Sequence, residues 1–227
     1  GSLPATGPDD GPNQPMGTGM GVNPGRVIWA WDKEATNENC ISNFDSKDWY
    51  FKPENTNQAV VSRILRESVK KLSGKTSLPE SWDALFRYMN NKKHLGNKGY
   101  TAGEKIFIKI NQTTARGLLS QEDKDNGYFY PTNLKAGQEY KKENCGAVET
   151  APGIVLEILR ELVTESGIEQ SNIAVGDPQN PIYGHNYAAW SAEFPKVVYI
   201  DKFSTMHGRT LISPTSRELI FYSDKTA

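Results

Sequence analysis

The sequence predicts an α/β fold: a mostly parallel sheet with flanking helices, closed by a C-terminal antiparallel hairpin. Three observations carry that expectation. Short apolar runs end on polar residues, segments with three-and-four apolar spacing fall between them, and together they give the strand, helix, strand rhythm of a parallel sheet. With 227 residues, 37% of them hydrophobic, the chain is long enough to bury a core without disulfides or a structural metal.

The run Arg26-Val27-Ile28-Trp29-Ala30-Trp31-Asp32 is continuously apolar between a Pro-Gly turn and an acidic residue, which predicts a first strand buried on both faces. From 59 to 72, Val60, Val61, Ile64, Leu65, Val69 and Leu72 share one helical face, and Gly74 supplies the stop. A second helix starts at Ser77, with Glu80 three residues on to complete a capping box; its apolar face is Trp82, Leu85, Phe86 and Met89. A β-rich strand follows at 105–111.

Residues 112–146 are polar and carry several glycines. A loop of that length in a compact domain is usually functional, and a lid is one reading. The third helix begins near Thr150-Ala151-Pro152, buries Ile154, Val155, Ile158, Leu159, Leu162 and Val163, and ends at Gly167-Ile168 in Schellman fashion. Two short buried strands, 173–177 and 197–201, each end on aspartate. Beyond them 209–212 and 218–222 flank the turn-forming Ser213-Pro214-Thr215-Ser216, which predicts the hairpin.

Residues 1–20 are rich in Gly, Pro, Asp and Asn and read as a flexible leader before a single α/β domain over 21–227. Such a leader fits a protein exported after removal of a signal. Twenty-six Lys and Arg stand against 27 Asp and Glu. That balance argues against nucleic acid as a partner. No apolar run approaches the ~20 residues needed to cross a bilayer. Cys40 and Cys145 read either as two unpaired thiols or as a disulfide, and two cysteines without CxxC spacing make neither a zinc nor an iron–sulfur site.

Open parallel sheets bind ligands beyond the carboxyl ends of their strands. On the strand assignments above that edge collects Asp32, Lys109, Asn111, Asp177 and Asp201, with Thr113, Thr114 and Thr150 just after the second strand or before the third helix. These groups suit a phosphate or carboxylate at a helix N-terminus, or a hard cation held by Asp32, Asp177 and Asp201. Lys109, Asp177 and His185 are the candidates for chemistry. Each has a plain alternative. Aspartates follow strands because they make turns, and an outward lysine is merely solvated. The adjacent Tyr128, Phe129 and Tyr130 support a different class of function, a non-catalytic binding module for polysaccharide or protein.

Gly21-Val22-Asn23-Pro24-Gly25-Arg26-Val27, the Gly103–Asn111 run with its Lys-x-Asn end, Thr150-Ala151-Pro152 and the strand leading to Asp177 resemble the bacterial family called domain of unknown function 362, over roughly residues 21–201. The resemblance implies an α/β fold, a bacterial source and, often, export, which slightly favours the periplasm or cell surface over the cytoplasm. Some relatives carry ferredoxin-like cluster domains, which admits a third, redox-associated role, although this chain lacks cluster cysteines. Relatives usually continue into a second half. The resemblance names no reaction or cofactor. The expectation it leaves is a small anionic ligand or a metal-bound cofactor at the strand ends.

Overall fold

In a computed structural model, residues 17–41, 48, 50–112, 150–180, 182, 184–201 and 208–212 are described. They form a mixed α/β fold. Four strands, β1 (Ile106–Lys109), β2 (Ile173–Gly176), β3 (Val198–Asp201) and β4 (Thr210–Leu211), lie in the order β1-β2-β3-β4, every pair parallel. Four helices accompany them: α1 (Gln58–Ser73), α2 (Leu78–Lys92), α3 (Pro152–Leu159) and α4 (Gly184–Glu193).

The helices start and stop where side-chain chemistry dictates. Asn57 caps α1 by accepting from the Val60 amide at 3.4 Å, and Gly74 ends it in the left-handed region at φ 74°, with its N–H on the Lys70 carbonyl. A residue with a Cβ would be strained there. At α2 the capping box forms in both directions. Ser77 Oγ accepts from the Glu80 amide at 3.4 Å and donates to Glu80 Oε2 at 2.8 Å, satisfying an end that otherwise has free donors. Leu72 and Met89, both predicted on buried faces, are 37% and 49% exposed.

Helix α3 does not stop at Leu159 but widens into a π-helical stretch over Arg160–Glu165. Gly167, at φ 68°, closes it: its amide bonds Val163 O, and the Ile168 amide bonds Leu162 O. Each bond spans one residue more than in the Schellman motif, because the last turn is wide.

The core joins α3, α4 and one sheet face through Val155, Leu159, Leu162, Ile173, Val175, Trp190, Phe194 and Tyr199, all buried. Helices α1 and α2 pack over α3 and its π continuation. In β1 burial alternates, with Phe107 48% exposed between half-buried Ile106 and Ile108. This edge strand is covered on one face only, which is why it reads with period two. No helix among the described residues is long and apolar enough to cross a membrane.

One expectation changes. The run 26–32 is not a buried strand. It carries no strand assignment, and Val27, Trp29 and Trp31 are exposed; the residues before it are taken by the C-terminus of α1. Asn23 Nδ2 donates to Leu72 O and Arg26 Nη1 to Lys71 O, both at 2.8 Å, filling carbonyls of the last turn that have no helical partner. Thr210–Leu211, in the first arm of the predicted hairpin, pairs parallel with β3; the other arm, 218–222, lies outside the described residues. So do residues 1–16, most of the 112–146 loop with Tyr128, Phe129 and Tyr130, and Cys145. Cys40 Sγ lies 3.8 Å from Asp48 O.

Candidate functional site

At the carboxyl ends of β1 and β2 the predicted residues do converge. Register pairs Lys109 with Gly176, and the Ile110 amide continues the ladder to Gly176 O at 3.1 Å. The next residues on the two strands are therefore neighbours. Asp177, only 2% exposed, lies 3.6 Å from Lys109 Nζ through Oδ1.

Asp177 is an anchoring carboxylate. Its Oδ1 accepts from the Gln179 amide at 3.0 Å, and its Oδ2 from the Gln112 amide at 3.1 Å and Asn180 Nδ2 at 3.0 Å. Burial alone would raise its pKa. The hydrogen bonds from Gln179, Asn180 and Gln112, with the Lys109 charge, together outweigh that and hold it below the usual carboxylate value. Both oxygens are thus occupied by N–H donors, a poor arrangement for a metal ligand or a general base. Lys109 also donates to Ile110 O, while its side chain remains 54% exposed. It keeps an ammonium at the edge.

Thr150 reaches the same place from the start of α3. Its hydroxyl accepts from the Asn111 amide at 2.9 Å and donates to Asn111 O at 3.0 Å. Its one O–H donor is spent on the backbone and leaves none for an anion, so the predicted donor role of Thr150 becomes a clasp between β1 and α3. The cap residue Ala151 has no side chain to offer the first amides of the helix, and Pro152 follows it.

Behind the clasp is a buried amide pair that the sequence reading missed. Gln112 and Asn186 are both fully buried. Asn186 Nδ2 donates to Gln112 Oε1 at 2.9 Å and, more weakly, to Thr150 O at 3.4 Å, while Gln112 Nε2 donates to Asn111 O at 3.0 Å. Asn186 Oδ1 has no hydrogen-bond partner among the described residues. The signal was the spacing of Asn186, Trp190 and Phe194, one face of α4, which a polar first member disguised. Trp190 locks that helix to the site by donating to Pro152 O at 2.8 Å.

His185 precedes this pair. Phe51 stacks on its ring at 3.9 Å with the planes 8° apart, and Tyr50 OH lies 3.2 Å from Nε2. Burial pushes its pKa down to about 3. At neutral pH the imidazole is uncharged and too weak a base for proton abstraction.

Of the other predicted residues, Asp32 does not join the group. Asp32 caps the 3-10 turn Lys33–Ala35 through the Glu34 amide at 3.0 Å and pairs with Arg63 on α1 at 2.6 Å. It belongs to the α1 surface because the strand that would have carried it to the edge does not form. Asp201 ends β3, with its side chain outside the described part, as are Thr113 and Thr114. Among the described residues there is no group of three or more His, Cys, Asp and Glu placed to hold a metal. A cavity of about 690 Å³ lies one layer away, lined by Asn37, Phe51, Gln58, Gly153 and Ala189 among others. Lys109, Asn111 and Asp177 are not among its walls; they sit on the open strand edge.

No family model, curated protein or solved structure matches this chain.

Proposed function

We propose that the chain binds a small anion, a phosphate or carboxylate, at the carboxyl ends of β1 and β2, with Lys109 as its charged contact. One observation carries this reading: Lys109 presents a half-exposed ammonium at that edge, beside a carboxylate whose own hydrogen bonds are filled from the protein. Two further features support it. The first residues of α3 and α4 lie beside this edge, Thr150 bonding Asn111 and Asn186 bonding Gln112, and a helix N-terminus favours an anion nearby. No side chain caps the first amides of α3.

The reading is one of binding without chemistry by these residues. His185 is neutral and weakly basic, and Asp177 is committed to the turn that follows β2. It takes the anion arm of the sequence expectation over the metal arm.

Isothermal titration calorimetry with inorganic phosphate and with succinate tests the proposal, alongside native mass spectrometry of the purified chain for a retained ligand. Lys109→Ala should weaken binding at least about tenfold, the worth of one charge-assisted hydrogen bond, with the far-UV circular dichroism unchanged. Equal affinity of the wild type and Lys109→Ala for both anions, or no binding of either by the wild type, would overturn it.

A further inference from the structure

A second site stands apart from the strand edge: the cavity of about 690 Å³ bounded by the start of α1, the start of α3 and the segments 34–37 and 51–57. Its volume is that of a small-molecule pocket. Its walls are held from within the protein. Residues 35–37 run antiparallel to 55–57 through the Thr36–Thr56 bridge, with the Asn57 amide on Ala35 O at 2.9 Å and the Asn37 amide on Asn55 O at 3.0 Å. Gln58 spends both N–H groups, on Gly153 O at 3.0 Å and Ser62 Oγ at 3.1 Å, and so ties α1 to α3. A Cβ at position 153 would run into Gln58 Oε1, so this tie needs glycine there.

The polar groups of the cavity that have no other use are of both kinds. Gln58 Oε1 and the carboxylates of Glu34 and Glu54 accept. Asn57 Nδ2 and the amides of Gln58 and Ala59 donate, those two amides being the ones at the start of α1 left without an acceptor among the described residues. Phe51, stacked on His185, supplies apolar surface together with Leu156 and Ala189.

This combination disfavours three ligand classes. An anion finds no Lys, Arg or His among the described lining residues. For a cation, Lys33 and Lys52 stand 3.6 and 3.8 Å from the Glu34 and Glu54 carboxylates, and the positive ends of α1 and α3, worth about half a charge each, oppose it further. A wholly apolar molecule would strand the amides and Gln58 Oε1 away from water. What remains is a neutral molecule whose groups each donate and accept, which is the property of a hydroxyl.

We infer that the cavity binds a neutral saccharide, a hexose or a short hexose oligomer, with its hydroxyls on Glu34, Glu54, Asn57 and Gln58 and its C–H face on Phe51 and Leu156. Saturation-transfer difference NMR and calorimetry with glucose, galactose, mannose and cellobiose, titrated into the millimolar range, test this. At least one should bind. The amide shifts that change on saturation should fall in 34–37 and 51–59. Ala59→Trp fills the cavity from an exposed position in the first turn of α1 and should weaken binding at least about tenfold, with the far-UV circular dichroism unchanged. Lys109→Ala should leave saccharide affinity as it is, which separates this site from the strand edge.

No binding of any of these sugars, shift changes confined to other parts of the chain, or unchanged affinity in Ala59→Trp would overturn the inference. So would binding of spermidine that Ala59→Trp abolishes, which would make the cavity a cation site.

Discussion

Replacing Glu161 by glutamine should abolish a component of the pH dependence of stability. Glu161 is fully buried in the π-helical stretch after α3, where Oε2 accepts from the Trp82 indole N–H at 2.9 Å and Oε1 has no partner among the described residues. Burial pushes its pKa from 4.5 up to about 6; the Trp82 hydrogen bond opposes this, Glu157 and Glu165 add to the rise, and Arg66 lowers it. The native state therefore binds more protons than the unfolded chain between those two values. Stability contributed by the protonated carboxyl is full below 4.5 and is lost as pH rises through about 6. The difference amounts to about 2 kcal/mol, or roughly 4–8 °C in Tm for a chain of this size. Glutamine keeps an acceptor for Trp82 and cannot ionise. Urea unfolding of both proteins from pH 4 to 8 should show Glu161→Gln gaining on the wild type by about 2 kcal/mol as pH crosses this window. Contributions from other carboxylates cancel in that comparison. A constant difference across the range would refute the argument that the buried carboxylate carries the cost.

Two further perturbations probe the frame that holds the strand edge. At Gly176 an added Cβ would lie 2.5 Å from Ile200 O and 2.7 Å from Ile200 Cβ. Gly176→Ala must therefore push β2 from β3, and it should lose about 1–3 kcal/mol in chemical denaturation; an unchanged midpoint would contradict the register of the two strands. Ser77→Ala should cost about 1 kcal/mol by removing the α2 cap, with Ser77→Asp restoring most of it, both read as shifts in thermal midpoint.

The helices α1, α2 and α3 were legible because their information is local. Apolar spacing sets the face, and Ser77, Gly74 and Gly167 set ends that could be read in advance, whereas the Asn57 cap of α1 was not foreseen. Strands β1, β2 and β3 were legible as apolar runs, and with them the meeting of Lys109, Asp177, Asn111 and Thr150 at one edge. What failed was pairing. The run 26–32 has the composition of a central strand, but a strand exists only if a neighbour supplies hydrogen bonds, and that neighbour is not written in the run itself. Helix α4 was missed for a related reason: a buried Asn186 looks like a loop residue until Gln112, distant in sequence, is known to face it. The roles within the site were also out of reach. Whether Asp177 is a ligand or a turn anchor depends on which amides surround it, and Thr150 reads as a ligand donor until Asn111 is seen to claim its hydroxyl.

The clasp between Thr150 and Asn111 separates the architecture from the length of chain that leaves it. These residues are 39 positions apart in sequence yet share two hydrogen bonds, so the sheet is sealed behind the point where the chain departs and returns. Because these bonds hold the two ends themselves, β1 and the start of α3 are joined at the root independently of the chain that links them in sequence.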